Sequence, residues 1–277
     1  MSAQTFFSIV IPTLNEEKYL PRLLTSLSKQ TFQAFEVIVV DGHSDDQTVA
    51  FANKIRTILP SLTIVSSIKR NVGFQRNLGA SHATGHYLVF FDADVRVPRG
   101  FLSGVERRIK STKKLLITTW LASDSPDQQD ELIATVTNIA TEGFKLIERQ
   151  FAGGYDIIVQ RNFFLHMGGF DSSIVHGEDH EFTLRCHGAG VVLDILRVPK
   201  LIYSTRRFRK YGVFAVIQKS AKASVYALLK KPITKAIFDY PMGGQMYAKY
   251  RKAPLPIIDT KKFEQWLLKS IKQFISV

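Results

Sequence analysis

The sequence predicts an α/β protein with a mostly parallel sheet flanked by helices and a basic helical extension at the C-terminal end. Three observations lead there. Short apolar runs alternate with amphipathic stretches through the first hundred residues, which is the pattern of strand–helix–strand units. The runs are apolar at consecutive positions, as in strands buried on both faces. The charge is also lopsided. Of a formal net +13, residues 197–277 carry 18 Lys and Arg against 3 Asp and Glu, whereas residues 1–196 carry 19 against 21.

Taken in order, residues 7–11 read as the first buried strand, ended by Pro12, Thr13, Leu14 and Asn15. Leu20, Leu23, Leu24 and Leu27 recur at helical spacing within residues 16–29. A second strand over residues 35–40 closes at Asp41 and Gly42, and a helix over 46–59 has Asp45 or Asp46 as its N-cap. Residues 62–66 form a third strand, 73–83 a helix and 87–91 a fourth strand that runs into Asp92, Ala93 and Asp94. The middle is less regular: a strand over 115–121, a helix over 130–149, a strand over 157–159, a helix over 178–187 ended by Gly188 or Gly190, and a strand over 191–198. Beyond Tyr203 come two amphipathic segments, 213–229 and 263–275, with a proline-rich linker at 253–256. The expected division is a main domain over residues 1–205 and the basic region over 206–277.

The composition, 45% hydrophobic and 22% charged, suits a chain of 277 residues that buries a core. One cysteine, Cys186, rules out an intrachain disulfide and fits a reducing compartment. The opening residues lack the basic start of a leader peptide, and no run approaches the ~20 apolar residues of a membrane span. These features predict a cytoplasmic protein. The basic tail suggests peripheral contact with anionic lipid at the membrane face, and the competing reading packs its two apolar stripes on the main domain.

Ligands of parallel sheets bind beyond the carboxyl ends of the strands. Here those ends hold Asn15 and Glu16, Asp41, Arg70 and Asn71, and Asp92 and Asp94. In extended chain, Asp92 and Asp94 point the same way while Ala93 faces the core, so both carboxylates can face one hard divalent cation. A second acidic group, Glu178, Asp179 and Glu181 around His180, offers a general base or simply an acidic helix start. Arg70, Asn71, Gly73 and Arg76 lie at a helix N-terminus suited to phosphate. Arg206, Arg207, Arg209 and Lys210 form a dense basic cluster able to meet a diphosphate. Neither Gly-x-x-x-x-Gly-Lys-Ser/Thr nor Gly-x-Gly-x-x-Gly follows the first strand, which argues against P-loop and dinucleotide-binding proteins.

In this order and spacing the motifs resemble glycosyltransferase family 2, inverting enzymes of the GT-A fold, over residues 8–190. Ser8 to Glu16 is similar to the family's opening strand and nucleotide-contacting turn, which points to Pro12, Thr13, Asn15 and Glu16. Asp41 stands where the family reads the nucleobase, with Gly42 where a second acid is common. Asn71, Val72 and Gly73 through Arg76 and Asn77 resemble the loop and helix beneath the nucleotide. Asp92-Ala93-Asp94 resembles the metal-binding Asp-x-Asp. Gly168-Gly169-Phe170-Asp171 followed by Gly177-Glu178-Asp179 resembles the acceptor segment, with Asp179 as base.

The resemblance implies a nucleotide-diphosphate sugar as donor and Mn2+ or Mg2+ held mainly by Asp94, with Asp92 on metal or ribose. It also implies Arg206 or Arg207 closing over the diphosphate and a glycan or lipid-linked acceptor. A nucleotidyltransferase of related fold and a non-catalytic nucleotide-sugar-binding module are the rival readings. Nucleic acid is disfavoured by the acidic cleft.

Overall fold

The computed structural model describes residues 5–211, so segments 213–229, 253–256 and 263–275 lie outside the described residues. Seven strands form one sheet: β1 (Phe7–Thr13), β2 (Phe35–Asp41), β3 (Leu62–Ser66), β4 (Tyr87–Phe91), β5 (Leu116–Ser123), β6 (Asp156–Gln160) and β7 (Asp194–Tyr203). Their spatial order is β3-β2-β1-β4-β6-β5-β7. β6 is antiparallel to both neighbours, and the other adjacent pairs are parallel.

Alternation along β1 explains the layering. Phe7, Ile9 and Ile11 enter one core with Leu20, Leu23, Leu24 and Leu27 of α1 (Leu20–Ser28), Ala52 of α2 (Thr48–Ile55) and Phe101, Leu102, Val105 and Ile109 of α4 (Phe101–Thr112). Val10 enters the other core with Ala80 of α3 (Val72–Ser81), Phe164 of α6 (Arg161–His166) and Phe182 and Cys186 of α7 (Glu178–Gly188). The sheet is thus covered on both faces, as its unbroken apolar runs require. α5 (Gln128–Leu146) and α8 (Arg206–Tyr211) complete the described elements.

Several boundaries differ from the sequence expectation. β1 continues through Pro12 and Thr13, because Thr13 still pairs with Asp41 of β2. α1 starts at Leu20, and the residues before it form a turn in which the Glu16 carbonyl accepts the amides of Tyr19 and Leu20. The last strand begins at Asp194 rather than Val191 and extends to Tyr203, held by parallel pairing with β5. α4 and α6 had no sequence forecast. In α4, charged residues and Gly104 dilute the apolar spacing, and α6 spans only six residues.

The reversed strand β6 places the site. Its first residue, Asp156, lies opposite Phe91, the last residue of β4. The loop before it, residues 150–155, is thereby delivered to the same sheet end as Asp92.

Candidate active site

The nucleotide-side turn is built from backbone geometry. Asn15 adopts φ 55° and its Oδ1 accepts the amide of Asp45, at 2.8 Å. Asp41, buried at the end of β2, accepts the amide and hydroxyl of Ser44 at 3.0 and 2.5 Å. Arg70 donates to the carbonyls of Gly42 and His43 at 3.1 and 2.8 Å and pairs with Asp45 at 3.3 Å, bracing this turn from the side. Asn71 caps α3, its Oδ1 accepting the Phe74 amide at 2.7 Å. Gln75, which the sequence did not single out, donates to the carbonyls of Thr13 and Val40 at 3.1 and 2.9 Å, stapling the ends of β1 and β2. Pro12 and Thr13 are buried within β1, and the Thr13 carbonyl is taken by the Gly42 amide and by Gln75.

Two arginines organise the acids. Arg76, from inside α3 and 3% exposed, donates to Glu178 Oε1 at 2.7 Å, Asp92 Oδ1 at 2.9 Å and the Gly154 carbonyl at 2.8 Å. A side chain on residue 154 would overlap that guanidinium, so glycine is required by close approach. The Gly154 amide in turn donates to Asp179 Oδ2 at 2.7 Å, and the His180 amide donates to Asp179 Oδ1 at 2.8 Å. Glu178 and Asp179 open α7, where the helix N-terminus favours negative charge. Gly177 precedes them at φ 85°, in the left-handed region that suits glycine. Glu178 is pushed up to about 7, first by burial and then by Asp179, against the pull of Arg76. His180 stacks on Phe151 at 3.9 Å, and burial lowers its affinity for a proton.

Arg206 forms the second centre. It donates to Glu16 Oε2 and Oε1 at 3.0 and 2.7 Å, its Nε lies 2.7 Å from Asp94 Oδ2, and its guanidinium sits 4.2 Å from the centre of the Tyr19 ring. Burial pushes Glu16 up to about 7; Arg206 opposes the shift, while Asp94 and Asp92 reinforce it. Arg207 follows in the same helix, α8.

Asp92 and Asp94 each meet a different arginine, and both carboxylates act on Glu16. β4 ends at Phe91, and residues 92–94 form a turn in which Ala93 is buried but the carboxylates meet different arginines. Asp92 belongs to the Arg76 centre and Asp94 to the Arg206 centre. Among the described residues, no group of three or more His, Cys, Asp or Glu stands ready to hold a metal ion. The donor chemistry still fits a hard divalent cation. Glu16, Asp92, Asp94, Glu178 and Asp179 outnumber two guanidiniums, and magnesium or manganese needs only one or two carboxylates when phosphate completes its shell.

Behind the site, Asp156 is fully buried, with Oδ2 accepting the amide and hydroxyl of Thr119 at 2.7 and 2.6 Å. Burial pushes it up to about 7 against those bonds. Sequence reading missed Gly154 and Asp156, although the Gly153-Gly154 pair signals close backbone approach.

A parallel α/β sheet with one reversed strand and an acidic cleft at its carboxyl edge defines a GT-A transferase fold. The chain belongs to glycosyl transferase family 2, whose family model matches residues 8–168. It is 42% identical over 93 residues to the poly(ribitol-phosphate) beta-N-acetylglucosaminyltransferase TarS of Staphylococcus aureus strain Mu50, covering 32% of this chain and 16% of TarS. It is 40% identical over 93 residues to a PGL/p-HBAD biosynthesis glycosyltransferase of Mycobacterium bovis BCG, covering 33% and 36% of the two chains. The aligned part is thus a minor share of either relative. In overall fold it resembles the mannosyltransferase PcManGT of Pyrobaculum calidifontis in complex with GDP-Man and Mn2+, at TM-score 0.65 and 19% identity, covering 83% of this chain and 64% of that one. S. aureus TarS 1–349 in complex with UDP gives TM-score 0.61 at 20% identity, covering 82% and 66%. No helix among the described residues is long and apolar enough to cross a membrane.

Proposed function

We propose that the chain transfers a glycosyl group from a nucleotide-diphosphate sugar to a hydroxyl acceptor in one displacement that inverts the anomeric carbon. The observation that carries this reading is the fixed link Asp179–Gly154–Arg76–Asp92, which ties a half-buried carboxylate at the start of α7 to the acidic turn after β4. Asp179 is the base: it takes the acceptor hydroxyl proton as the new C–O bond forms and the bond to the diphosphate breaks. The nucleoside end lies against Asp41, Asn15 and the turn braced by Arg70. Asp94, with Asp92 beside it, would hold manganese or magnesium, and a cation there stabilises the charge of the leaving diphosphate. Arg206 and Arg207 meet the diphosphate once Arg206 leaves Glu16 and Asp94. The ligands bound by the structural neighbours, UDP in TarS 1–349 and GDP-Man with Mn2+ in PcManGT, support this donor class. A glycan or lipid-linked hydroxyl compound is the proposed acceptor.

Two variants test the assignment. Asp179→Asn keeps the size but loses the proton acceptor, so transfer falls by ~10² or more while calorimetry finds donor affinity unchanged. Transfer at the wild-type rate would move the base elsewhere, to Glu178 or Glu181 first. Asp94→Ala abolishes the metal dependence of nucleoside-diphosphate binding and keeps the fold. Equal wild-type affinity with and without manganese would remove the metal from the scheme.

A further inference from the structure

Helix α5 carries an apolar face that nothing among the described residues covers. Leu132, Val136, Ile139, Leu146 and Ile147 are 50, 44, 63, 85 and 57% exposed. They recur at the three- and four-residue spacing of one helical stripe, and Gly143, in the same line, has open space above it. The opposite side of the helix is spent on the core and on β5: Ile133 and Ala134 are buried, and Asn138 hydrogen-bonds the Leu121 backbone at 2.8 and 2.9 Å. Scattered surface leucines need no explanation, but a continuous apolar line along a helix marks a face with a partner.

We propose that this stripe is the docking face for the chain's own segment 213–229. Three observations choose that occupant. The first is position. α8, the last described element, is anchored beside the start of α5: Arg209 Nε pairs with Asp130 at 3.0 Å, and its Nη2 pairs with Asp124 at 2.5 Å. Arg209 of α8 thus lies beside the Leu132 end of the stripe. The second is length. Leu132 to Leu146 spans ~21 Å at helical rise, and Phe214, Ile217, Ala221, Val225 and Leu228 repeat the same spacing over an equal span in the sequence. The third is charge. Exposed Asp127, Glu131 and Glu148 flank the face against one exposed arginine, Arg149, whereas residues 212–277 hold 12 Lys and Arg against 3 Asp and Glu. An anionic lipid surface would meet those acids at a cost; a basic amphipathic segment is complemented by them.

The test uses the full chain with two cysteines placed at the middle of each stripe, Ile139→Cys with Ala221→Cys, and a short bis-maleimide; native Cys186 is buried. Intrachain crosslinking in the monomer is expected, with Ile139→Cys alone giving none. Crosslinks only between molecules would assign the face to a second copy, and crosslinks appearing only with anionic vesicles would assign it to a membrane. Either result overturns the proposal, as does no crosslink. An independent measurement is amide exchange in the Val136→Glu, Ile139→Glu double variant, whose changes are confined to exposed positions. Exchange over residues 213–229 should rise by at least ~10-fold while β1 to β4 stay protected. Unchanged exchange in that segment would equally overturn it.

Discussion

The two arginine centres hold similar groups but are built differently. Arg76 projects from the interior of α3 and is fastened by two carboxylates and a backbone carbonyl. One of its partners, Gly154, also fixes Asp179, so the proposed base and Asp92 share one scaffold. Arg206 comes from the first residue of α8 and reaches Glu16 across 190 positions of sequence by side-chain bonds. On the proposed reading, the Arg76 centre is the base side and the Arg206 centre the donor side, where a metal and a diphosphate would take over partners now held by side-chain bonds.

Breaking the fixed side has the largest expected effect. Gly154→Ala pushes the Arg76 guanidinium off its partners and shifts Asp179, and a displacement of about 1 Å costs roughly 10²-fold in transfer. Circular dichroism should be unchanged, and manganese binding without nucleotide should change less than in Arg206→Gln, because Arg76 meets Asp92 and not Asp94. A full-rate Gly154→Ala enzyme would show that the scaffold is dispensable. Loosening the exchangeable side gives the opposite profile. Arg206→Gln removes the cation from Glu16 and Asp94, so manganese binding without nucleotide tightens by ~10-fold, while nucleoside-diphosphate affinity at saturating metal declines. If both variants changed metal binding alike, the two centres would act as one.

The smallest effect lies behind both. Asp156 is raised from its ordinary 3.8 to about 7, so the native state holds that proton more tightly than the unfolded chain. Its contribution to stability is therefore favourable below the ordinary carboxylate range and is lost as pH rises from about 4 to about 7. Asp156→Asn should flatten the fall of denaturant midpoint over that window. An unaltered slope would show that Asp156 is ionised in the fold without penalty.

Much of the fold was legible because strand burial leaves a continuous apolar record. Residues 7–11, 35–40, 62–66 and 87–91 all fall inside observed strands, since few side chains other than apolar ones fit between two helical layers. α4 escaped notice because Phe101, Leu102, Val105 and Ile109 are interspersed with charged residues, one of which, Glu106, is itself buried. The last strand was misplaced because its limits depend on pairing with β5, a partner distant in sequence.

The sequence by itself determined the types of group in the cleft and their order along the chain: Glu16, Asp41, Arg76, Asp92, Asp94, Asp179 and Arg206. Composition and local periodicity carry that information, because they set Glu16, Asp41, Asp92 and Asp94 at or just after apolar strands and Arg76, Asp179 and Arg206 in helices. Only the tertiary structure decided which group meets which. Asp92 and Asp94, two residues apart in the turn after β4, are held by different arginines, one from α3 and one from α8. Gly154 became central because reversed β6 brings its preceding loop to the end of β4, and pairing direction is set by long-range packing that no local pattern records.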